Sequence, residues 1–110
     1  MNDQLLSIQI ERADDSLLVR LSGEIDLSNS DRLHQQLENA VDGWRSVVID
    51  LTEITYLDSQ GLRLIKQLCN KANRDQTELQ FVAPPTSFAR QVLEMAQMSD
   101  YTEIRDTRGA

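Results

Sequence analysis

The sequence predicts an α/β fold: a small mixed β-sheet with helices packed mainly on one side. Three observations lead there. Short apolar or β-branched runs recur at residues 5–10, 17–21, 46–51 and 79–83. Stretches with helical spacing of apolar residues follow the second, third and fourth of these runs. Strand–helix–strand order calls for parallel pairing, whereas the first two runs lie close enough for an antiparallel hairpin.

Residues 5–10 (Leu-Leu-Ser-Ile-Gln-Ile) alternate as a half-buried strand does. Residues 12–15 are polar and read as a turn, and residues 17–21 (Leu-Leu-Val-Arg-Leu) as the returning strand. Residues 22–26 form a connector. A first helix is expected from near Ser28, where Ser28 and Asp31 stand close to a capping-box pattern. Leu33, Leu37, Ala40 and Val41 make its apolar stripe, and Gly43 ends it. Residues 46–51 (Ser-Val-Val-Ile-Asp-Leu) suit a central strand covered on both faces. A second helix is expected from about Ser59 to Arg74, with Leu62, Ile65, Leu68, Cys69 and Ala72 inward. Residues 79–83 form another buried strand, closed by Pro84 and Pro85. Thr86 then caps a third helix whose apolar side holds Phe88, Val92, Leu93 and Ala96, and residues 101–104 offer a last short strand.

The chain has 110 residues, which suits one domain over residues 1–110 with its core from about 5 to 104. The polar ends, 1–4 and 106–110, are expected to fray. One cysteine, Cys69, excludes an internal disulfide, and with one histidine, His34, it cannot make a Cys/His zinc site. The formal net charge of -7 disfavours sequence-independent nucleic-acid binding and docking on an anionic membrane. No apolar run approaches the ~20 residues of a membrane span, and the start lacks the basic and apolar segments of a secretory signal. A cytoplasmic location is expected, without cofactor or metal.

The chemistry concentrates at Asp58-Ser59-Gln60-Gly61-Leu62, where a strand-derived loop becomes a helix. In purely structural terms Ser59 is the helix N-cap, its hydroxyl accepting from a free N–H of the first turn. Gly61 would keep that turn open to another molecule. The succession Leu-Ser-Gly-Glu-Ile-Asp (residues 21–26), a helix, Val-Val-Ile-Asp-Leu (47–51) and Tyr-Leu-Asp-Ser-Gln-Gly-Leu (56–62) resembles the STAS family, the domain of bacterial anti-sigma factor antagonists. The resemblance runs from about Leu5 to Ile104.

That resemblance implies partner switching. The unphosphorylated antagonist binds an anti-sigma factor that is a serine kinase, with ATP on the partner. The kinase phosphorylates the serine after the motif aspartate, here Ser59, and a PP2C-type phosphatase reverses the step. Asp26 matches the first-loop aspartate near the phosphorylation site. Ser28, Asp58, Ser59, Gln60, Gly61 and Leu62 complete the expected contact surface. Gln60 stands where many members have Ser or Thr, so a secondary hydroxyl is lost. The chain is then a regulator and not an enzyme, a monomer that forms heterocomplexes. Two other functions fit the same resemblance: a structural or lipid-transport accessory subunit that is never phosphorylated, and a partner switch with a non-sigma output.

The remaining candidates have plain structural readings beside functional ones. Arg63, Lys66, Lys71 and Arg74 give the second helix a basic face, either solvated or aimed at an acidic partner. Trp44 is a lid at the core's edge or an interface anchor. His34 lies off the apolar stripe, at the surface, and nothing sets it beside Ser59 as a catalytic base. Cys69 is core packing, and Met95 and Met98 fill space beside the third helix.

Overall fold

The computed structural model describes residues 6–107. The first two strands are β1 (Leu6–Ala13) and β2 (Ser16–Ile25). Asp14 and Asp15 alone turn the chain between them, Asp14 with a left-handed φ of 51° that Asp tolerates. The strands pair antiparallel, with Ile8 opposite Leu21 and Ile10 opposite Val19. Both strands are therefore longer than the apolar pattern suggested. The residues read as turn (12–13) and connector (22–25) are strand, because ladder hydrogen bonds tolerate polar side chains on the solvent face.

Then follow α1 (Ser30–Val41), β3 (Ser46–Leu57), α2 (Ser59–Asp75), β4 (Glu78–Val82), α3 (Phe88–Met95), a short 3-10 turn (Met98–Asp100) and β5 (Glu103–Arg105). The sheet order is β1-β2-β3-β4-β5, antiparallel between β1 and β2 and parallel thereafter. Each crossover steps in the same direction along the sheet, so the right-handed rule sets each helix on the same face. The burial agrees. Leu17, Val19 and Leu21 of β2, Val47, Ile49 and Leu51 of β3 and Phe81 of β4 share one core with Leu33 and Leu37 of α1. Leu64, Ile65 and Leu68 of α2 and Ala89 and Leu93 of α3 complete it.

The opposite face of the sheet is polar. Arg20 reaches Glu11 at 3.2 Å and Gln80 reaches Glu103 at 2.9 Å. β3 is thus not covered by helices on both faces, as its β-branched run suggested. Val47, Ile49 and Leu51 point to the helices, while Asp50 turns the other way, buried, and accepts from the N–H and hydroxyl of Thr52 at 2.9 and 2.6 Å.

Several local expectations change. α1 begins at Ser30, and the Ser28/Asp31 capping box is not formed: the residue before the helix, Asn29, makes no side-chain cap. α3 is capped by Ser87, not Thr86; the Ser87 hydroxyl accepts from Arg90 N–H at 3.1 Å, because Pro84 and Pro85 delay the helix by one residue. Leu64 is an additional inward residue of α2. Met98 is buried as expected, but Met95 is 85% exposed. Trp44 is half-buried against the edge of the core, as a lid. Cys69 is buried, which pushes its thiol up despite a hydrogen bond with Thr102. His34 is partly exposed with Nε2 3.0 Å from Glu38. Lys71 is held between Asp75 (2.8 Å) and Asp42 (3.2 Å), and Lys66 lies over the Tyr101 ring. The expected fraying of 1–4 lies outside the described residues, as does that of 108–110.

Candidate functional site

Parallel pairing brings the carboxyl ends of β2 and β3 side by side, with Glu24 opposite Tyr56 and Ile25 opposite Leu57. The next residues are Asp26 and Asp58. Asp58 N–H donates to the Ile25 carbonyl at 3.3 Å, so the two acidic positions leave the sheet on adjacent strands. Two motifs far apart in sequence become neighbours because register, not chain distance, sets where strands end. β3 runs past β4, whose pairing with it stops at Asp50–Val82, and this longer strand carries the pair of loops outward.

Asp58 is in extended conformation and its Oδ1 accepts from the N–H groups of Gln60 (2.9 Å) and Gly61 (3.1 Å). Its carbonyl accepts from Leu62 N–H at 3.0 Å. Asp58 is therefore the N-cap of α2, and Ser59 is its first helical residue, not the cap. Asp and Ser are about equally good caps; the end of the strand at Leu57 decides between them. Ser59 is exposed, and its hydroxyl makes no hydrogen bond among the described residues.

Gly61 has a different role from the one expected. It is buried, and a Cβ there would run into Leu57 Cδ1 and come within 3.2 Å of Ile25 Cγ2. The glycine lets α2 start close against the two strand ends, and it faces inward, away from any visitor. Leu62 is half-buried against the core. Gln60 is half-buried and lines a groove between α1 and α2 with Ser30, Asp31, His34 and Arg63.

The Asp26 loop is closed on itself. Asp26 Oδ1 accepts from the N–H and the hydroxyl of Ser28 at 2.9 and 2.6 Å. Ser28 thus acts by fixing Asp26, though it is exposed. Asn29, which the sequence reading passed over, ties the loop from the other side. Its Oδ1 accepts from Asp26 N–H at 3.1 Å and its Nδ2 donates to the Glu24 carbonyl at 2.9 Å. Asn directly before a helix is the available signal, since its amide can mimic a backbone turn. Leu27, between Asp26 and Ser28, is 72% exposed, and Tyr56 stacks on Phe88 with centroids 6.3 Å apart, both rings partly exposed. Phe88, expected on the apolar side of the third helix, is thus 39% exposed; exposure of an apolar residue is not written in local sequence.

Among the described residues, no group of three His, Cys, Asp or Glu is placed to hold a metal ion, and no helix is long and apolar enough to cross a membrane. The arrangement offers an exposed hydroxyl one residue past the capping carboxylate of Asp58, at a strand end adjacent to the one that leads into the Asp26 loop.

Residues 7–110 match the family model described as STAS domain. The anti-sigma-B factor antagonist of Listeria monocytogenes is 31% identical over 94% of this chain and 92% of its own length. A crystal structure of an anti-sigma factor antagonist from Mycobacterium paratuberculosis superimposes with a TM-score of 0.85, covering 97% of this chain and 91% of the other at 23% identity. The Bacillus protein SpoIIAA is similar in its phosphorylated form, with a TM-score of 0.68 and 15% identity over 93% of each chain.

Proposed function

As the chain belongs to the STAS domain family, we propose that it is an anti-sigma factor antagonist working by partner switching, with Ser59 as the switch. In this reading the unmodified protein binds an anti-sigma factor that is a serine kinase. Phosphorylation of Ser59 releases it, and a PP2C-type phosphatase restores it. Sigma factors and ATP-using kinases work in the cytoplasm, and the reading locates the chain there. The exposure of the Ser59 hydroxyl, beside the fixed Asp26 loop, is the observation that supports it. The relatives' names favour it over a lipid-transport accessory role.

Phosphate adds about -1.5 to -2 charge at neutral pH. A bare helix N-terminus would welcome that charge. Here the Gln60 and Gly61 N–H groups already serve the Asp58 carboxylate, which is itself a negative neighbour. The gain within the domain is therefore smaller than the roughly 1 kcal/mol expected of an open N-terminus. Between proteins the cost is larger. Two like charges about 4 Å apart at a partly buried surface cost on the order of 4 kcal/mol, equivalent to roughly a thousandfold in affinity. Release without refolding follows from that inequality. Ser28, Gln60 and Leu62 contribute by position: Ser28 through Asp26, Gln60 and Leu62 at the rim of α2.

The test is intact-mass analysis after incubation with the candidate serine kinase and ATP. The expected result is one added phosphate on the native chain and none on Ser59→Ala. Equal labelling of both would move the site elsewhere and end this reading.

A further inference from the structure

The basic face of α2 is partly committed within the molecule. Lys71 is paired with Asp42 and Asp75, and Lys66 lies 5.3 Å from the centroid of the Tyr101 ring. Arg74 is a full two turns further along, next to Asp75. Arg63 is exposed and has no side-chain hydrogen bond or ion pair among the described residues. It stands four residues after Ser59 within one continuous helix, Ser59–Asp75. Helical geometry sets such residues on one face with Cβ atoms about 5–6 Å apart, within easy reach of a guanidinium for a phosphate on the serine.

We propose that Arg63 is the internal phosphate-binding residue of this chain, pairing with phosphoserine at position 59 across the first turn of α2. The inference rests on Ser59 being the modified residue. The N–H groups of Gln60 and Gly61 in the first turn are not open for this, because Asp58 occupies them. A phosphate between Asp58 and the Asp26 loop needs a cation, and Arg63 supplies a planar pair of donors that matches phosphate oxygens. An anion N-terminal to a cation at this spacing is also the favourable order along a helix. Phosphorylation then changes two features of the surface a partner meets. It adds negative charge at position 59, and it draws the free cation at 63 into an internal pair. A partner with an acidic group opposite Arg63 loses that contact in the same step.

The groups facing Arg63 are known. Asp31 and His34 line the groove from α1, and Gln60 from α2 itself. His34 Nε2 lies 3.0 Å from Glu38, Asp58 directly precedes the serine, and Asp26 follows the end of the adjacent strand. His34 is an ionisable neighbour of Arg63 in that groove and has to be controlled for.

The test uses full-length protein with phosphoserine encoded at position 59, so it does not depend on any kinase recognising that residue. Phosphorus NMR follows the phosphate through its second ionisation. In Arg63→Gln the ionisation should rise by about 0.3 pH unit relative to the phosphorylated parent. It should lie between the two in Arg63→Lys and stay at the parent value in Arg74→Gln. The same rise should persist in a His34→Gln background. Equal titration of parent and Arg63→Gln overturns the proposal, as does a difference that vanishes with His34→Gln. Kinase labelling that fails on Ser59, with the NMR difference intact, would instead overturn the functional reading and leave the pairing standing.

Discussion

The two residues at the start of α2 divide labour that the sequence left in one place. Asp58 holds the helix start through two N–H groups, and Ser59 is left with a free hydroxyl. The split has a consequence for mutation. Asp58→Ala removes the cap and should lower stability by about 1 kcal/mol, or roughly 4 °C in a domain of this size, read by urea and thermal unfolding. Ser59→Ala removes nothing the fold uses and should stay within about 0.5 kcal/mol of the parent, as surface changes do. The reverse order, with Ser59→Ala the costlier change, would return the serine to a capping role. Reading the local sequence identified both residues but could not assign the cap, since either side chain can accept from a first-turn N–H. The choice was made by where β3 ends.

At the scale of elements, α2 is fixed at both ends by backbone requirements. Its start abuts the ends of β2 and β3 through Gly61, whose missing Cβ is filled by Leu57 and Ile25. Both neighbours are buried core residues. Alanine gains at most ~1 kcal/mol over glycine in a helix, whereas overpacking costs about 1–3 kcal/mol. Gly61→Ala should therefore be net destabilising, by about 1 kcal/mol, in urea titrations; a stabilised variant would mean that Leu57 yields freely. At the other end Gln76 takes a left-handed φ of 59°, with the following Thr77 N–H donating back to Ala72 at 2.8 Å. Glycine is the residue suited to this position. Gln76→Gly should stabilise the chain by roughly 0.5–1 kcal/mol, visible as a higher urea midpoint with an unchanged slope. The helices were legible from apolar spacing, because one face of each had to be buried. Their first residues were not, because Ser28 and Thr86 look as good as Asn29 and Ser87 on propensity.

For the molecule as a whole, the helices and their shared core lie on one face of the sheet and the proposed switch lies at its strand ends. A charge added there should leave the rest untouched. Ser59→Asp is expected to weaken binding to the anti-sigma partner at least tenfold in titration calorimetry, with a loss smaller than that from phosphate because it adds one charge. Amide shifts in the free protein should be confined to the ends of β2 and β3 and the first turn of α2, with the melting temperature within about 2 °C. Shifts spread over the core would mean that the switch works by refolding. The pattern of apolar residues was enough to give the strand and helix order and the mixed sheet, because burial must follow the period of each element, whereas the family came from the resemblance of the motif succession at 21–26, 47–51 and 56–62. Naming Ser59 and Asp26 together also came from that resemblance and not from the apolar pattern. What the sequence left open was everything that depends on who stands next to whom: Asp58 as cap, Gly61 as a packing contact, Asn29 as the staple of the Asp26 loop, and Arg63 without an ion pair among the described residues, one turn from the serine. Those follow from strand register and helix phase, which arise from pairing between distant segments and have no signature within any one of them.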